Sequence, residues 1–234
     1  MSAPKNRSAK DRPVSRKRLK AEERRGQLLE IAKNLFSEFG FENTTTKAIA
    51  AAAGVSEAII FRHFSTKEEL YASLMDQRAD EIGLKAWGKE LADCAAKEDD
   101  EALVLSVVKH ILEADRRDPQ FRKLMLQVAL NGHRLHKITV QRLSPLHRFL
   151  CSYIKKRQKR GAFQKCDPRL AAYAIVGMPS YLGLAKILFD AGDLNLPEEQ
   201  VAWSLTQLIV RGLRNSGKLV HKKTPASSGT GNED

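Results

Sequence analysis

The sequence predicts an all-α protein, and three observations support this fold class. Apolar residues recur at helical spacing along most of the chain, and from residue 85 onward no segment alternates with the two-residue period of a strand. Helix-starting and helix-ending residues punctuate these segments, among them Gly40 and the pair Asp167-Pro168. Residues 44–67 hold a compact pair of short helices. We therefore expect a small N-terminal three-helix domain followed by a larger helical domain.

The composition allows a buried core and indicates a polyanionic partner. The 234 residues are 42% hydrophobic, and 40 Lys and Arg against 28 Asp and Glu give a formal net charge of +12 and a pI near 9.7. Residues 1–25 alone hold ten Lys and Arg against three acidic residues. A charge surplus of this size favours binding to nucleic acid or to an anionic membrane surface.

The cysteines and the apolar stretches argue against several other protein classes. Cys94, Cys151 and Cys166 are too scattered for a disulfide framework or a zinc site, which favours a reducing cytoplasm. The basic N-terminus has no apolar stretch behind it, so no secretory signal is expected. Residues 171–189 are apolar, but Pro179 within them favours a buried helix over a membrane span. No catalytic motif is present, so we expect neither an enzyme nor a cofactor.

The N-terminal domain is expected to span residues 22–70, after a basic arm at residues 1–21 that should be disordered because it has no hydrophobic period. Its first helix is predicted from residue 22 to Phe39, where Gly40 ends the periodic pattern. The apolar residues on one face of this helix are Leu28, Ile31, Leu35, Phe36 and Phe39.

The centre of this domain predicts two short helices joined by a tight turn. Thr45 offers a hydroxyl at the start of an Ala-rich helix, Gly54 ends that helix, and Ser56 caps the next one. A capping box at Ser65-Thr66-Lys67-Glu68 begins a further helix toward residue 84, which is expected to connect the two domains.

The two short helices should bury one face and expose the other. Helical spacing directs one set of residues into the space between the helices, namely Ile49, Ala50, Ala53, Val55, Ile60 and Phe64. The second short helix then presents a polar-rimmed face whose shape fits a DNA major groove. The residues on that outward face are Glu57, Ala58, Ile59, Phe61 and Arg62.

Residues 71–215 are expected to form the second, regulatory domain, and residues 216–234 a disordered tail. A charged loop at residues 97–100 precedes its helices. These helices are predicted at about residues 100–116, 119–131, 137–160, 168–190 and 198–215.

The short helix pair also carries a resemblance to a known family. Its sequence resembles the N-terminal module of TetR-family transcriptional regulators, and the close match covers about residues 25–75. Ala58 stands where the family often has Gly, and Phe61 stands where a Tyr usually reaches a phosphate. The matching positions are Thr44, Thr45, Ile49, Ala50, Ala53, Gly54, Val55, Ser56, Phe61, His63, Phe64, Lys67, Glu68, Glu69 and Leu70.

The resemblance implies a helix-turn-helix DNA-binding domain. Phosphate contacts are expected from Lys47, His63 and Lys67 and from the hydroxyls of Thr45 and Thr46. Base-edge contacts are expected from Glu57, Ala58 and Ile59. Ile59 would face a thymine methyl group, and Glu57 would accept from a cytosine amino group. The complete set of predicted DNA-binding residues is Thr45, Thr46, Lys47, Ser56, Glu57, Ala58, Ile59, Phe61, Arg62, His63 and Lys67.

Several of these residues have alternative roles that the sequence leaves open. Thr45 also fits a plain helix cap, and His63 also fits a surface histidine. Glu57 also fits compensation of the helix dipole, and Ile59 also fits core packing.

Two basic segments and one histidine pair have further readings. The arm at residues 7–20 fits either minor-groove binding or a flexible solubilising segment. The basic run at residues 155–160 ends a helix, which favours dipole compensation over a second nucleic-acid site. His133 and His136 are spaced for one helix face, but no further ligand accompanies them, so no metal site is expected.

In the family that the chain resembles, the second domain dimerises through its last two helices and encloses a small-molecule pocket. Small and apolar residues here are compatible with a two-fold four-helix bundle. The candidate dimer-interface residues are Ala174, Gly177, Trp203, Leu205, Leu208 and Ile209. Candidate pocket residues, which ordinary core packing would also explain, are Phe121, Met125, Phe149, Tyr153, Met178 and Tyr181.

The resemblance implies a sequence-specific DNA-binding transcriptional regulator in the cytoplasm. It is expected to be a ligand-responsive repressor that binds a palindromic operator in double-stranded DNA as a homodimer, with no membrane partner. Its effector is expected to be small and apolar or amphipathic, and to act through the helix at residues 66–84. The alternative is a sequence-tolerant architectural DNA-binding protein without an effector.

Overall fold

The computed structural model describes residues 20–131, 133–189 and 195–215, and these residues form ten helices and two compact units. Unit 1 ends at Leu74, and unit 2 begins at Met75. The only β-pairing among the described residues is an isolated bridge between Phe163 and Arg214. The all-α prediction is therefore confirmed. The predicted arm before Lys20 and the predicted tail after Asn215 lie outside the described residues.

The helices follow the order that the helix-starting and helix-ending residues of the sequence indicate. Helix α4 starts in unit 1 and continues without interruption into unit 2. The helices are α1 (Ala21–Phe39), α2 (Thr46–Ala53), α3 (Glu57–His63), α4 (Lys67–Glu81), α5 (Leu84–Lys97), α6 (Asp100–Arg117), α7 (Pro119–Asn131), α8 (His133–Lys159), α9 (Pro168–Phe189) and α10 (Glu198–Leu213).

Local interactions at the helix ends determine where α2, α3 and α4 begin or end. The Thr45 hydroxyl accepts a hydrogen bond from the Ala48 amide at 3.0 Å, and Gly54 ends α2 in the left-handed conformation at φ 65°. Ser56 occupies the N-cap position of α3, but its side chain makes no capping hydrogen bond, contrary to the prediction. The cap of α4 lies one residue later than predicted, because the Thr66 hydroxyl accepts from the Glu69 amide.

The core of unit 1 joins α1 to the two short helices and the start of α4. Ile49, Ile60 and Phe64 are buried as predicted, whereas Val55 is half-buried. Phe39, predicted to face the core, is 52% exposed. Phe41 takes its place, since its ring lies 5.0 Å from Phe36 and 6.0 Å from Tyr71.

Unit 2 packs its helices around a core in which α6 contacts both α9 and α10. Helix α5, which was not assigned from the sequence, adds Trp87 and Leu91 to this core and follows Gly83 at φ 64°. Helix α8 begins earlier than predicted and continues through Pro145. The fully buried core residues include Leu103, Val107, Val108, Leu150, Ile154, Ala172 and Val210.

Two ion pairs in unit 2 are shielded from solvent. Arg157 donates to both oxygens of Asp100 at 2.8 Å, and the Tyr153 hydroxyl donates to the same carboxylate at 2.6 Å. Arg122 donates to both oxygens of Asp115 at 2.7–2.8 Å. Burial raises the pKa of Asp115, and Arg122 opposes that increase. Hydrogen bonds from charged donors thus satisfy both buried carboxylates.

Among the described helices, none is both long and apolar enough to cross a membrane.

Candidate DNA-binding and dimerisation surfaces

Helix α3 presents a short, solvent-facing surface because its opposite side is anchored in the core of unit 1. The turn from α2 to α3 is closed by the Val55 amide, which donates to the Ala50 carbonyl at 3.0 Å. Ile60 is 1% exposed, whereas Ala58, Phe61 and Arg62 are exposed. The structure therefore places three of the predicted DNA-binding residues on one accessible face. Such a helix, held by a tight turn, has the geometry of a major-groove reader.

Glu57 and Ile59 are less accessible than the sequence predicts, since both are half-buried. The Thr46 hydroxyl donates to Oε1 of Glu57 at 2.5 Å, so the first residues of α2 and α3 are joined. This hydrogen bond was not anticipated, because the two residues are eleven positions apart. Thr45 and Ser56 are exposed near these helix starts.

The cations of unit 1 differ in how they are held. Lys47 and Arg62 are exposed to solvent, as phosphate contact requires. The Lys67 ammonium instead donates to the carbonyls of Phe41 at 2.7 Å and Thr44 at 3.0 Å, and lies 4.2 Å from the Phe41 ring centroid. Because these donors are turned toward the protein, the geometry does not favour the predicted phosphate contact of Lys67.

His63 is half-buried at the end of α3, near a second group of cations. Burial lowers the pKa of His63, and the charges of Arg62 and Arg25 lower it further. The lowered pKa favours the neutral imidazole in the DNA-free protein, and a neutral imidazole still offers one N–H donor. The predicted phosphate contact of His63 remains a prediction.

Helices α9 and α10 of unit 2 expose an apolar surface, which we call the α9–α10 face. On α10, Trp203 is 49% and Leu208 is 66% exposed, as expected for an interface. Ile209, also predicted there, is 4% exposed and belongs to the core of its own unit, while Leu205 packs partly against that core. The exposed large residues of α9 are Leu170, Tyr173, Met178, Tyr181, Leu188 and Phe189, and Gly177 is exposed among them.

Most of the large residues on this face were not predicted at the interface, because the small residues of α9 pointed to close helix approach instead. A usable signal was present: Leu170, Tyr173, Gly177, Tyr181 and Leu188 recur at intervals of three, four or seven along one side of the helix. Ala174, predicted at the interface, is half-buried. Contiguous exposed apolar patches mark interaction surfaces on proteins, so the exposed apolar residues of α9 and α10 are candidates for one.

The structure does not bring all the predicted pocket residues together. Met178 and Tyr181 are 43% and 59% exposed on the α9–α10 face, so they do not line an enclosed cavity. Tyr153 is buried, and its hydroxyl is used by Asp100. Phe121, Met125 and Phe149 are half-buried and remain predictions.

A groove of about 500 Å³ lies elsewhere in unit 2, and its lining is mostly charged or polar. Arg157 in this groove pairs with Glu98 and Asp100, and Arg214 pairs with Glu101. A groove lined by satisfied ion pairs is not the apolar cavity that the sequence predicts. The side chains of His133 and His136 lie outside the described residues.

Comparison with known proteins agrees with this geometry. Residues 28–74 match the family model for bacterial regulatory proteins of the tetR family. The chain is 28% identical over 203 residues to the uncharacterized HTH-type transcriptional regulator YhgD of Bacillus subtilis (strain 168), covering 82% of this chain and 97% of YhgD. It is 42% identical over 52 residues to the HTH-type transcriptional repressor KstR2 of Mycobacterium tuberculosis (strain CDC 1551 / Oshkosh), covering 22% of this chain and 26% of KstR2.

The fold also resembles a crystal structure of the transcriptional regulator FadR from Bacillus subtilis in complex with stearoyl-CoA. The TM-score is 0.64 at 18% identity, and the match covers 81% of this chain and 99% of FadR. The likeness therefore extends over both units of the fold, whereas the family model matches unit 1 alone.

Proposed function

We propose that this chain, a member of the tetR family of bacterial regulatory proteins, represses transcription by binding a palindromic operator as a homodimer and is released by a small-molecule effector. Membership makes it a DNA-binding transcriptional regulator with a helix-turn-helix. As a regulator of bacterial genes, it would act in the cytoplasm, where the DNA is. The alternative of an architectural DNA-binding protein without an effector is not favoured by these relatives.

The observation that carries DNA recognition is the accessible face of α3. Ala58, Phe61 and Arg62 are exposed, while Ile60 behind them is fixed in the core. A rigid backing matters because base-edge contacts require a side chain to be held at one depth and register in the groove. Lys47 and Arg62 would supply phosphate contacts, and Ala58 and Ile59 would lie against base edges.

Two-fold symmetry is supported by the α9–α10 face. An exposed surface that includes Tyr173, Trp203 and Leu208 is unfavourable in water, and pairing two copies would remove it from solvent. An isologous dimer places the two recognition helices in symmetric positions, and such dimers bind half-sites about one helical turn apart. Repression would follow from occupancy of the operator, and KstR2, one of the matched relatives, is a repressor.

For the effector, we propose an amphipathic molecule with an acyl chain, such as an acyl-CoA thioester. FadR, which shares the fold, holds stearoyl-CoA. Half-buried Phe121 and Met125 in unit 2 are apolar residues of the kind that line acyl-chain sites. Addition of stearoyl-CoA should release bound operator, and free CoA and stearate serve as controls. If acyl-CoA thioesters from short to long chain all leave the operator complex unchanged, this effector class is wrong.

The experiment that tests DNA recognition is selection of bound duplexes from a random pool at about physiological salt. We expect a two-fold symmetric site, and Ile59→Ala should lose about 1–3 kcal/mol of discrimination at one base pair of each half-site. Recovery of no consensus, with binding that collapses as salt rises, would contradict the regulator model and favour sequence-tolerant binding.

A further inference from the structure

The hydrogen bond between Thr46 and Glu57 fixes a carboxylate at the start of α3, the helix proposed above to face DNA. Thr46 is the first residue of α2, and Glu57 is the first residue of α3. The Thr46 hydroxyl donates to Oε1 of Glu57 at 2.5 Å, which draws the carboxylate toward the N-terminus of α2. A helix N-terminus carries partial positive charge and favours an anion. Glu57 thus supplies an internal anion at a position where a DNA phosphate would otherwise be attracted.

Glu57 is also isolated among cations and neutral residues. It is the only acidic residue between Asn43 and Lys67. The exposed charges on the same helix pair are Lys47 and Arg62, which attract DNA of any sequence. A single carboxylate among them opposes that attraction at short range.

We propose that Glu57 is a specificity-determining residue that acts by exclusion: its carboxylate, held by Thr46, weakens binding to DNA in general more than binding to the operator. On a non-operator duplex the carboxylate meets phosphates and acceptor edges, and no donor on the DNA compensates for its charge. On the operator, a base-edge donor such as a cytosine amino group would compensate for its charge. Specificity then arises partly from a repulsive element, as it does in many selective interfaces. This inference rests on the proposed function, because it needs an operator.

The variant that tests this role is Glu57→Gln, which keeps the side-chain length and removes the charge. Affinity for a scrambled duplex should rise about 3- to 10-fold, and affinity for the selected operator should change less, so the ratio of specific to non-specific affinity falls. Glu38→Gln is the matched control, because Glu38 is an exposed acidic residue of α1 and its loss changes the net charge equally. It should leave the ratio unchanged.

A second variant separates the charge from its positioning. Thr46→Val removes the hydrogen bond to Glu57 but keeps the carboxylate. Because the carboxylate is then no longer held against the start of α2, affinity for the scrambled duplex should rise toward that of Glu57→Gln. An affinity equal to that of the wild type would contradict the role of Thr46 in the exclusion. Hydrogen exchange in residues 28–74 of each variant establishes that unit 1 is folded.

Two results would overturn the inference. If Glu57→Gln raised the affinity for operator and for scrambled DNA equally, the charge of Glu57 would act on all DNA alike and would not contribute to specificity. Unchanged affinity of Glu57→Gln for scrambled DNA, with or without a loss of operator affinity, would show that the carboxylate excludes no DNA. Failure of the proposed function is distinguishable, because the wild-type protein would then select no consensus site before any variant is compared.

Discussion

The two units expose opposite kinds of surface, and each kind indicates a different partner. The outward face of α3 is small and mixed, with Arg62 and Phe61 beside a half-buried Glu57. The α9–α10 face is broad and apolar, with Tyr173 and Leu208 each about two-thirds exposed. A surface that meets hydrated, charged DNA must remain stable in water when DNA is absent. An apolar face of this extent is stabilised only when another apolar surface covers it.

The largest expected effect comes from placing a charge on the α9–α10 face. Leu208→Glu should convert the proposed dimer to a monomer, because a carboxylate buried without a partner costs about 3–5 kcal/mol. Operator affinity should then fall at least about a hundredfold, since one half-site contact replaces two. Light scattering after size-exclusion chromatography measures the mass, and fluorescence anisotropy measures operator binding.

Leu130→Glu is the matched control for that experiment. Leu130 is 73% exposed on α7, outside the α9–α10 face, so the same substitution there should leave the mass unchanged. If Leu208→Glu remains dimeric while Leu130→Glu dissociates, the dimer forms through a different surface.

The second effect distinguishes two cations in unit 1. Lys67→Ala should lower the free energy of unfolding by about 2 kcal/mol, because the ammonium's charged hydrogen bonds to the Phe41 and Thr44 carbonyls are lost. Arg62→Ala should leave stability within about 0.5 kcal/mol, because Arg62 is exposed. Urea unfolding by circular dichroism, together with hydrogen exchange in residues 28–74, measures both.

DNA binding should separate the same two variants in the opposite direction. Arg62→Ala should weaken binding to operator and scrambled duplexes alike. It should also reduce the salt slope, the steepness with which the logarithm of the binding constant falls against the logarithm of salt concentration, by about one. Lys67→Ala should leave the salt slope unchanged once its folded fraction is accounted for. A lowered salt slope for Lys67→Ala would restore the predicted phosphate contact of this residue.

The sequence was informative about unit 1 because neighbours close in the chain determine its structure. Gly54, Thr45 and the apolar spacing of α2 and α3 specify the turn and the buried face within about twenty residues. The roles of Lys67 and Glu57 could not be predicted in this way. Each depends on a partner more than ten residues away, at carbonyls or a hydroxyl that carry no sequence signal.

For unit 2, helical spacing predicted most helices but not which side of each would be exposed. Both faces of α9 are apolar, so its packing against neighbouring helices, mainly α6 and α8, decides that Ala172 and Ile175 are buried while Tyr173 and Tyr181 are not. Helix α5 was not predicted, although Trp87, Leu91 and Cys94 recur at helical spacing within it. Tertiary contacts between distant helices settle such questions, and spacing along one helix does not.

A smaller effect tests how tightly the helices of unit 2 approach one another. A Cβ at Gly183 of α9 would clash with the Asp115 carboxylate, both oxygens of which accept hydrogen bonds from Arg122. Gly183→Ala should therefore destabilise the protein by about 1–2 kcal/mol, because the carboxylate must shift out of its pairing. Gly88→Ala in α5 meets open space and should instead stabilise by about 0.5–1 kcal/mol. Thermal unfolding measures the stability of both variants. A Gly183→Ala variant as stable as the wild type would contradict this packing.

The smallest effect concerns the pH dependence of unit 2. The ring of His110 stacks on the ring of Trp87, with 3.8 Å between the ring centroids and an interplanar angle of 3°. Burial lowers the pKa of His110 below its ordinary value of 6.5, and the nearby Glu113 and Glu90 oppose this shift. As the pH falls through about 6.5, His110 therefore binds a proton more readily in the unfolded chain than in the folded chain. The free energy of unfolding should decrease from about pH 7.5 to about pH 5.5.

His110→Phe retains a flat ring against Trp87 and removes the titration. The difference in unfolding free energy between the two pH values should shrink in this variant, measured by urea denaturation at each pH. A residual dependence should persist, because the pKa of His63 is lowered as well and contributes with the same sign. An unchanged dependence in His110→Phe would contradict the contribution assigned to His110.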